Sequence, residues 1–382
     1  MTTEQVHKGL EGVVVDTTST SLVDGEAGAL YYRGYPIETL VQYRFAEVAH
    51  LIVFGELPGA QQLAAMEEYL WQAGKLPPEV AASLRVLARN GAHPMATLQG
   101  VAPLLALDPP QQRLGRTAEE EEGLLVAARI PAALGLINAA LEDHPEQPWP
   151  SSRRYGERYL QLLTGKVPSA AAVDAFEVMQ ILQLDHGFNA STFTARVVTS
   201  TLAPPASALA AAMGALYGPL HGAADQGALE MAIEVGEPQR ANAFVAECLA
   251  TGRKVLGMGH REYRVVDPRA KILKALAEKM ASEFTHRRIL STLVAVESAF
   301  VEQTSAKRRA LRANMEFYKG VLCLALGISK EYFTATFAAS RAFGWLAHIV
   351  EQRQDNRIIR PAALYIGPSP RQPEPQAQAA AG

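Results

Sequence analysis

One stretch organises this chain: Arg253-Lys254-Val255-Leu256-Gly257-Met258-Gly259-His260-Arg261-Glu262-Tyr263-Arg264-Val265-Val266-Asp267-Pro268-Arg269. Its glycines let backbone N–H groups come close to a ligand. Asp267-Pro268 predicts a helix start with Arg269 in the first turn, and a helix N-terminus beside arginines favours anions. The stretch therefore predicts a loop that holds an anion next to His260. Gly-x-Gly-His is short and also occurs by chance, so the rest of the chain has to decide.

Composition narrows the class of protein. The chain has 382 residues, 48% hydrophobic and 20% charged, as in folded proteins with a sizeable core. A net charge of -3 gives no global basic field for nucleic acid or an acidic membrane. Cys248 and Cys323 form no spacing motif, and no histidine pair has zinc-binding spacing, so we expect no metal site. The polar N-terminus is not a signal peptide, and we expect a cytoplasmic protein.

The sequence pattern predicts a mainly α fold with a minor N-terminal β element. Residues 12–23 are β-like and are followed by the turn signal Asp24-Gly25 and a second short extended piece. From residue 45 to residue 350, helical periodicity and caps recur with almost no alternating pattern. The uncharged run 201–220 is rich in alanine and poor in leucine, which favours close helix packing over membrane insertion. A dimer interface and the interior of one subunit both fit such a helix.

Three histidines lie at predicted helix boundaries beside small residues: His186, His221 and His260. A lone histidine is more often a structural residue with its hydrogen bonds satisfied. Three histidines in glycine-flanked boundary positions favour a functional site instead.

Charged residues on apolar helix faces complete the candidate set. Glu316 lies between apolar residues, where burial would raise its pKa and suit it to general-base work. An ordinary first-turn helical glutamate is an equal alternative. Arg269, Arg341 and Arg360 could together grip a dicarboxylate through bidentate pairs. A surface salt bridge is the alternative for each arginine, and for Arg360 alone it is the better one.

Taken in order, these stretches resemble citrate synthase. The resemblance extends from about residue 8 to about residue 367, and ordered motifs are far more specific together than any one alone. The motifs are Gly9-Leu10-Glu11-Gly12-Val13-Val14, Tyr32-Arg33-Gly34-Tyr35-Pro36, Asp185-His186-Gly187-Phe188-Asn189-Ala190-Ser191-Thr192, Gly218-Pro219-Leu220-His221-Gly222, Gly257-Met258-Gly259-His260-Arg261, Asp267-Pro268-Arg269-Ala270, Ser340-Arg341 and Arg357-Ile358-Ile359-Arg360-Pro361.

The resemblance implies a mostly helical homodimer with two domains in each subunit. The large domain would comprise residues 1–221 and 328–367 and carry the dimer contacts and the oxaloacetate side. The smaller inserted helical domain would comprise residues 222–327 on the CoA side, and residues 368–382 would form a disordered tail. The family joins acetyl-CoA to oxaloacetate and hydrolyses the citryl thioester to citrate and CoA. The resemblance therefore implies an acyltransferase that requires no cofactor.

The resemblance also implies a role for each candidate residue. His221 would hydrogen-bond the thioester carbonyl as it becomes an enol, His260 would polarise the ketone of oxaloacetate, and Glu316 would be the base. Oxaloacetate would be held by His186, Arg269 and Arg341, with Arg360 of the partner subunit completing the site. CoA would lie along Arg253, Lys254, Val255, Leu256, Gly257, Met258, Gly259, Arg264 and Asn314.

One departure from the family pattern falls on the base. The family has Asn-Val-Asp-Phe-Tyr, whereas this chain has Asn314-Met315-Glu316-Phe317-Tyr318. The glutamate stem is longer by one C–C bond, roughly 1.5 Å, and a misplacement of ~1 Å can cost about a hundredfold in rate. We favour a compensating shift of the helix that carries Glu316. A slow enzyme is one alternative.

Two other functions remain open at this stage. A 2-methylcitrate synthase that uses propionyl-CoA would share every motif, and a non-catalytic relative that binds a CoA ester or dicarboxylate is suggested by Glu316. Because the chain starts almost at the shared region, we expect a dimer without the NADH inhibition that some relatives show through an extra N-terminal domain.

Overall fold

The helical pattern of the sequence is realised over most of the chain. The computed structural model describes residues 6–222, 224–305 and 311–371. The predicted mainly α fold is confirmed, because sixteen α-helices lie in this described part. They are α1 Ile37–Leu40, α2 Phe45–Phe54, α3 Ala60–Ala73, α4 Pro78–Arg89, α5 Pro94–Val101, α6 Ala118–Leu141, α7 Tyr155–Thr164, α8 Ala170–Ile181, α9 Ala190–Ser200, α10 Pro205–Tyr217, α11 Ala224–Val235, α12 Ala241–Thr251, α13 Pro268–Met280, α14 Phe284–Thr304, α15 Met315–Ala325 and α16 Phe333–Gln354.

The β element is smaller than the sequence pattern predicts. Three short antiparallel strands, β1 Ser21–Asp24, β2 Ala29–Tyr32 and β3 Tyr35–Pro36, form one sheet in the order β1-β2-β3. The turn between β1 and β2 is held by Asp24, whose carboxylate accepts hydrogen bonds from two backbone N–H groups of the turn. The expectation of β structure from residue 12 is wrong for residues 12–20, which form no strand. Val14 is 88% exposed, so the described part of the chain does not bury it.

Several helices begin at the capping residues that the sequence predicts. Thr117 begins α6 with a capping box, in which its hydroxyl accepts from the Glu120 N–H at 3.1 Å and the Glu120 carboxylate accepts from the Thr117 N–H at 3.2 Å. Two helices, α5 and α7, have no strong signal in the sequence. The first is capped by the His93 side chain, which accepts from the Met95 N–H at 3.2 Å, and histidine is an unusual cap.

Two long helices, α6 and α16, run through the core, and α16 carries Arg341. A Cβ on Gly123 of α6 would lie 2.2 Å from Leu346 of α16, so the small residue permits this close packing. Gly344 of α16 likewise permits close packing against the segment before α9, since a Cβ on Gly344 would lie 2.0 Å from the Leu184 carbonyl oxygen. Among the described helices, α6 alone has the length and apolar composition to cross a membrane, and 83% of its most apolar window is buried inside the protein, as in a core helix.

Helices α11 to α15 pack mainly on one another. The α13 helix lies against α15, α11 against α15, and α12 against α14. The backbone joins this group to the rest at Gly222, whose carbonyl accepts from the Thr334 hydroxyl at the start of α16 at 2.7 Å. This grouping is compatible with a small domain at residues 222–327, which stays a prediction. Of the tail expected to be disordered, residues 372–382 lie outside the described residues.

Candidate active site

The glycine loop at residues 255–259 is tied by its backbone to the segment before α15. Gly259 donates its N–H to the Arg312 carbonyl at 2.7 Å, and Asn314 donates to the Gly257 carbonyl at 2.9 Å. The Asn314 side-chain amide also donates to the Gly259 carbonyl at 3.0 Å. Gly257 has φ 77°, and a Cβ there would lie 2.8 Å from the Phe317 ring. Glycine is therefore required for the loop to lie this close to the helix that carries Glu316.

Asn314 and Glu316 occupy the first turn of α15. The Asn314 side chain caps the helix by accepting the Glu316 N–H at 3.1 Å. Glu316 is partly buried. Burial raises the pKa of its carboxyl above the ordinary value, and the nearby Arg269 acts in the opposite direction. A carboxylate with a raised pKa beside an anion-binding group is suited to general-base chemistry.

The His260 ring has a defined orientation and proton position. Its Nδ1 accepts the backbone N–H groups of Glu262 at 3.0 Å and Tyr263 at 3.3 Å, so its ring proton is on Nε2. Nε2 lies 3.4 Å from an Arg269 guanidinium nitrogen. The His186 ring packs against the His260 ring at 5.1 Å between centroids. Two donors, one imidazole and one guanidinium, thus lie side by side.

Arg269 is held in place by the residue that caps its own helix. Asp267 begins α13, accepts from the Arg269 backbone N–H at 3.0 Å, and pairs with its guanidinium at 2.8 Å. Burial alone would lower the pKa of Arg269, but the Asp267 carboxylate raises it above its ordinary value. The same carboxylate accepts from the Met315 N–H at 3.2 Å, so α13 and α15 share one anchor.

His221 is hydrogen-bonded at one nitrogen only, among the contacts of the described residues. The Ser191 backbone N–H approaches His221 Nε2 at 3.4 Å and the Ser191 hydroxyl lies 2.8 Å from the same nitrogen. A backbone N–H can only donate, so Nε2 accepts and the neutral ring carries its proton on Nδ1. Burial, with the charge of Arg341, lowers the pKa of His221 to about 4. His221 is therefore a neutral donor near pH 7.

Arg341 is a buried cation whose charge acts on both His186 and His221. It is 1% exposed, donates to the Gln183 carbonyl at 2.6 Å, and places its guanidinium 4.7 Å from the centre of the Phe337 ring. Burial lowers the pKa of His186 well below its ordinary value, and the charges of Arg269 and Arg341 add to this effect. His186 is neutral near pH 7 as a result, and its Nε2 lies 3.2 Å from the Tyr263 hydroxyl.

A second layer of polar contacts supports the segment that carries His186. Asp185 is buried, and its carboxylate contacts His348 Nε2 at 3.1 Å, the Gly187 N–H at 3.0 Å and the Ser21 hydroxyl. Burial alone would raise the pKa of Asp185, but the contact with His348 and the charge of Arg341 lower it to about 2. The carboxylate thus stays ionised and fixes the backbone on either side of His186.

The predicted site residues divide into a convergent group and a peripheral group. The convergent group is linked by the contacts and charge interactions given above, and it consists of His186, His221, His260, Arg269, Asn314, Glu316 and Arg341. Arg253 is half exposed and pairs with Glu234 at 2.5 Å, and Arg264 lies 3.7 Å from Glu26. Arg360 is exposed and outside the convergent group of this subunit.

The sequence did not single out several supporting residues. Ser191, Asp267 and Asp185 lie within motifs that were quoted for their neighbours, so a search for caps and buried acids beside each histidine could have found them. His348 carries no local signal, because its partner Asp185 is distant in the chain. Tyr263 lies inside the first quoted stretch, but its contact with His186 joins residues 77 positions apart. Over residues 6–222, 224–305 and 311–371, no group of three His, Cys, Asp or Glu side chains could hold a metal ion.

The fold and the site define a class of enzyme. Buried arginines, three imidazoles and the Glu316 carboxyl converge between mainly helical elements, which is the set needed for acid–base chemistry on an anionic substrate. A family model described as citrate synthase, C-terminal domain, matches residues 9–362. The chain therefore belongs to the citrate synthase family, a family of acyltransferase enzymes, and the resemblance stated from the sequence is confirmed.

Relatives and a solved structure agree over nearly the full length. The chain is 34% identical to the citrate synthase of Deinococcus radiodurans, over 95% of this chain and 96% of that one. It is also 34% identical to the 2-methylcitrate synthase of Mycobacterium tuberculosis, over 95% and 91% of the two chains. The citrate synthase of Thermoplasma acidophilum, solved as a ternary complex with carboxymethyl coenzyme A and oxaloacetate, is similar with a TM-score of 0.90 at 29% identity, over 98% and 99% of the chains.

Proposed function

We propose that this protein condenses acetyl-CoA with oxaloacetate and hydrolyses the resulting citryl thioester to citrate and CoA. The observation that carries the proposal is the position of Glu316: a carboxyl of raised pKa at the start of α15, within reach of the charges of Arg269 and Arg341. A thioester methyl proton is far less acidic than any side chain, so its removal needs a base and stabilisation of the forming oxyanion together.

In the proposed reaction, Glu316 takes a proton from the methyl group of acetyl-CoA. The His221 Nδ1–H donates to the thioester carbonyl oxygen, where charge develops as the enol forms. The enol carbon then bonds to the ketone carbon of oxaloacetate, and the ketone oxygen becomes the citryl hydroxyl with a proton from His260 Nε2. Water then gives a proton to His260, which restores its Nε2–H, and adds to the citryl thioester carbonyl carbon. The C–S bond breaks, the CoA thiolate takes the proton held by Glu316, and citrate and the CoA thiol are released.

Oxaloacetate would be bound by the buried cations next to these groups. Arg269 and Arg341 supply guanidinium groups that can pair with its two carboxylates, and neutral His186 supplies a hydrogen bond. Arg269 already pairs with Asp267, so the anion would share that guanidinium. Arg341 donates to the Gln183 carbonyl and forms no ion pair among the described residues, so the anion would displace no carboxylate there. We expect Arg360 of the partner subunit to complete the site in a homodimer.

CoA would lie along the glycine loop, which presents backbone groups at Val255, Leu256, Gly257, Met258 and Gly259, with Asn314 beside them. The loop position next to Phe317 would bring the thioester to the first turn of α15. Arg253, Lys254 and Arg264 are the cations nearest in sequence for the CoA phosphates. Motion of the small domain, proposed as residues 222–327 on the large domain at 1–221 and 328–367, would close the cleft.

The test of this function is Glu316→Gln together with Glu316→Asp. Loss of the base should lower kcat by about 10²–10⁴-fold, while oxaloacetate binding, measured by calorimetry, stays within a few-fold of the parent. Glu316→Asp keeps the carboxylate but shortens its reach by roughly 1.5 Å, and we expect about a hundredfold loss. Turnover by Glu316→Gln at the parental rate would refute the assignment of the base.

A 2-methylcitrate synthase that uses propionyl-CoA is the second candidate, favoured by the similarity to the 2-methylcitrate synthase named above. Thiol release measured with acetyl-CoA and with propionyl-CoA, each with oxaloacetate, separates the two enzymes. Release from neither thioester would instead support a non-catalytic binding relative. We further propose a cytoplasmic location and a dimer without NADH inhibition, for which a hexamer in solution would be contrary evidence.

A further inference from the structure

A buried ion pair with no role in the proposed chemistry lies one turn behind Glu316. Lys319 of α15 and Asp225 of α11 pair at 2.7 Å, and their side chains are 0% and 1% exposed. The Lys319 ammonium also lies 3.5 Å from the Phe333 carbonyl and 4.6 Å from the centre of the Phe337 ring, both in α16. One ammonium on α15 thus contacts two further helices, α11 and α16, and α16 carries Arg341.

The packing around this pair is tight. A Cβ on Gly320, the next residue of α15, would lie 2.9 Å from the Asp225 carbonyl oxygen, 3.1 Å from Leu229 and 3.3 Å from the Phe333 ring. The α15 helix therefore cannot slide or rotate at this level without breaking contacts to α11 and α16. Since Glu316 is one turn from this junction, the junction sets the height and rotation of its carboxylate.

Lys319 also acts on Glu316 through charge. Residues three apart on a helix lie on the same face. The charged groups that act on the Glu316 carboxyl are Arg269 and Asp267 at the start of α13, Lys319 on its own helix and Arg341 on α16. Lys319 and Arg269 favour the ionised carboxylate, and Asp267 opposes it.

We propose that the Lys319–Asp225 ion pair positions the base of this enzyme: it fixes α15 against α11 and α16, and the ammonium keeps the Glu316 carboxylate ionised. This inference rests on the proposed function of Glu316. A buried ion pair is commonly no better for stability than two well-packed apolar side chains, because both charges lose their hydration. Its charge and its geometry, more than stability, therefore account for a lysine at this position.

The test measures the pH dependence of kcat/KM for acetyl-CoA at saturating oxaloacetate in Lys319→Met, Asp225→Asn and the double variant. Removing the ammonium should move the acidic limb to higher pH by about one pH unit. Asp225→Asn leaves the buried amine without its counter-charge, which favours the neutral form, so the limb should rise as in Lys319→Met while thermal stability falls. The double variant should recover stability, because no unpaired charge is buried, yet keep the raised limb.

Two controls separate charge from structure. Lys319→Arg keeps the charge and should retain the parental limb. Lys330→Met removes a lysine that pairs with Glu230 of the same α11 helix at the surface, and it should leave the limb unmoved.

Two outcomes would overturn the proposal, and a third outcome tests only the proposed function. A parental limb in folded Lys319→Met, or in the double variant if the single variant does not fold, would overturn the proposal. An upward shift of the same size in Lys319→Arg would do so too, since that variant keeps the charge and the shift would reflect general loosening of α15. Parental turnover by Glu316→Gln, in contrast, would contradict the base assignment whatever the limb does.

Discussion

The two halves of the candidate site are built on different physical principles. On the proposed oxaloacetate side, around His186 and Arg341, the side chains are buried and their orientation is set by contacts with other buried groups such as Asp185. On the proposed CoA side, around residues 253–264, the backbone of a glycine loop is fixed, but Arg253 and Arg264 are exposed and already paired with surface acids. Substitutions should therefore have large effects in the first half and small ones in the second.

The largest effect is expected at Arg341, where one guanidinium is both buried and central. Arg341→Lys keeps a charge but loses the planar fork that pairs with a carboxylate, so oxaloacetate affinity should fall about a hundredfold or more. Calorimetric titration with oxaloacetate measures this loss. Arg353→Ala, at the end of the same helix, serves as the control, because that side chain contacts the Ala203 carbonyl and lies outside the convergent group. Unchanged binding by folded Arg341→Lys would contradict the comparison.

An intermediate effect is expected at Asp185, on stability rather than binding. Its folded-state pKa, about 2, lies below the ordinary value near 4, so the ionised form stabilises the fold above about pH 4, and this contribution is lost as the pH falls toward 2. Asp185→Asn should cost about 2 kcal/mol at pH 7.

Urea unfolding at pH 7 and pH 3 measures the contribution of Asp185. The difference between the parent and Asp185→Asn should narrow at pH 3, because the parent then loses part of the same stabilisation. Asp174→Asn is the matched control, since Asp174 pairs with Arg154 at the surface and such pairs contribute about 0–1 kcal/mol. A difference that stays constant between the two pH values would show that ionisation is not its source.

The sequence predicted the two halves unequally, and the reason is physical. Helix boundaries at Thr117 and Asn189 were predictable because caps are local interactions between residues a few positions apart. The roles of His186, His221, His260 and Glu316 came from the resemblance, since no local rule brings together side chains so far apart in the chain. The partners Asp185–His348 and Lys319–Asp225 join residues 163 and 94 positions apart, and only the packing of α16, α15 and α11 reveals them.

The smallest effect is expected at Arg253, on the proposed CoA side, where substitution should change the KM for acetyl-CoA only slightly. Its guanidinium is half exposed and pairs with Glu234, and the shallow hollow beside it, about 190 Å³, is also lined by Glu230. A phosphate of CoA has to compete with Glu234 for this cation, so Arg253→Ala should raise the KM for acetyl-CoA by only about twofold to threefold.

Glu234→Gln tests the same competition from the other side. This substitution frees Arg253 to pair with a CoA phosphate, so the KM for acetyl-CoA should fall slightly. The changes in KM caused by Arg253→Ala and by Glu234→Gln should both become smaller in high salt, because exposed charges are screened. Lys254→Ala provides the comparison with an unpaired cation, since this exposed lysine has no ion-pair partner among the described residues. Its loss should therefore raise the KM for acetyl-CoA more than the loss of Arg253. If Arg253→Ala instead raised KM a hundredfold, CoA would have to break the pair with Glu234 and bury the guanidinium on binding, and the CoA side would then resemble the oxaloacetate side.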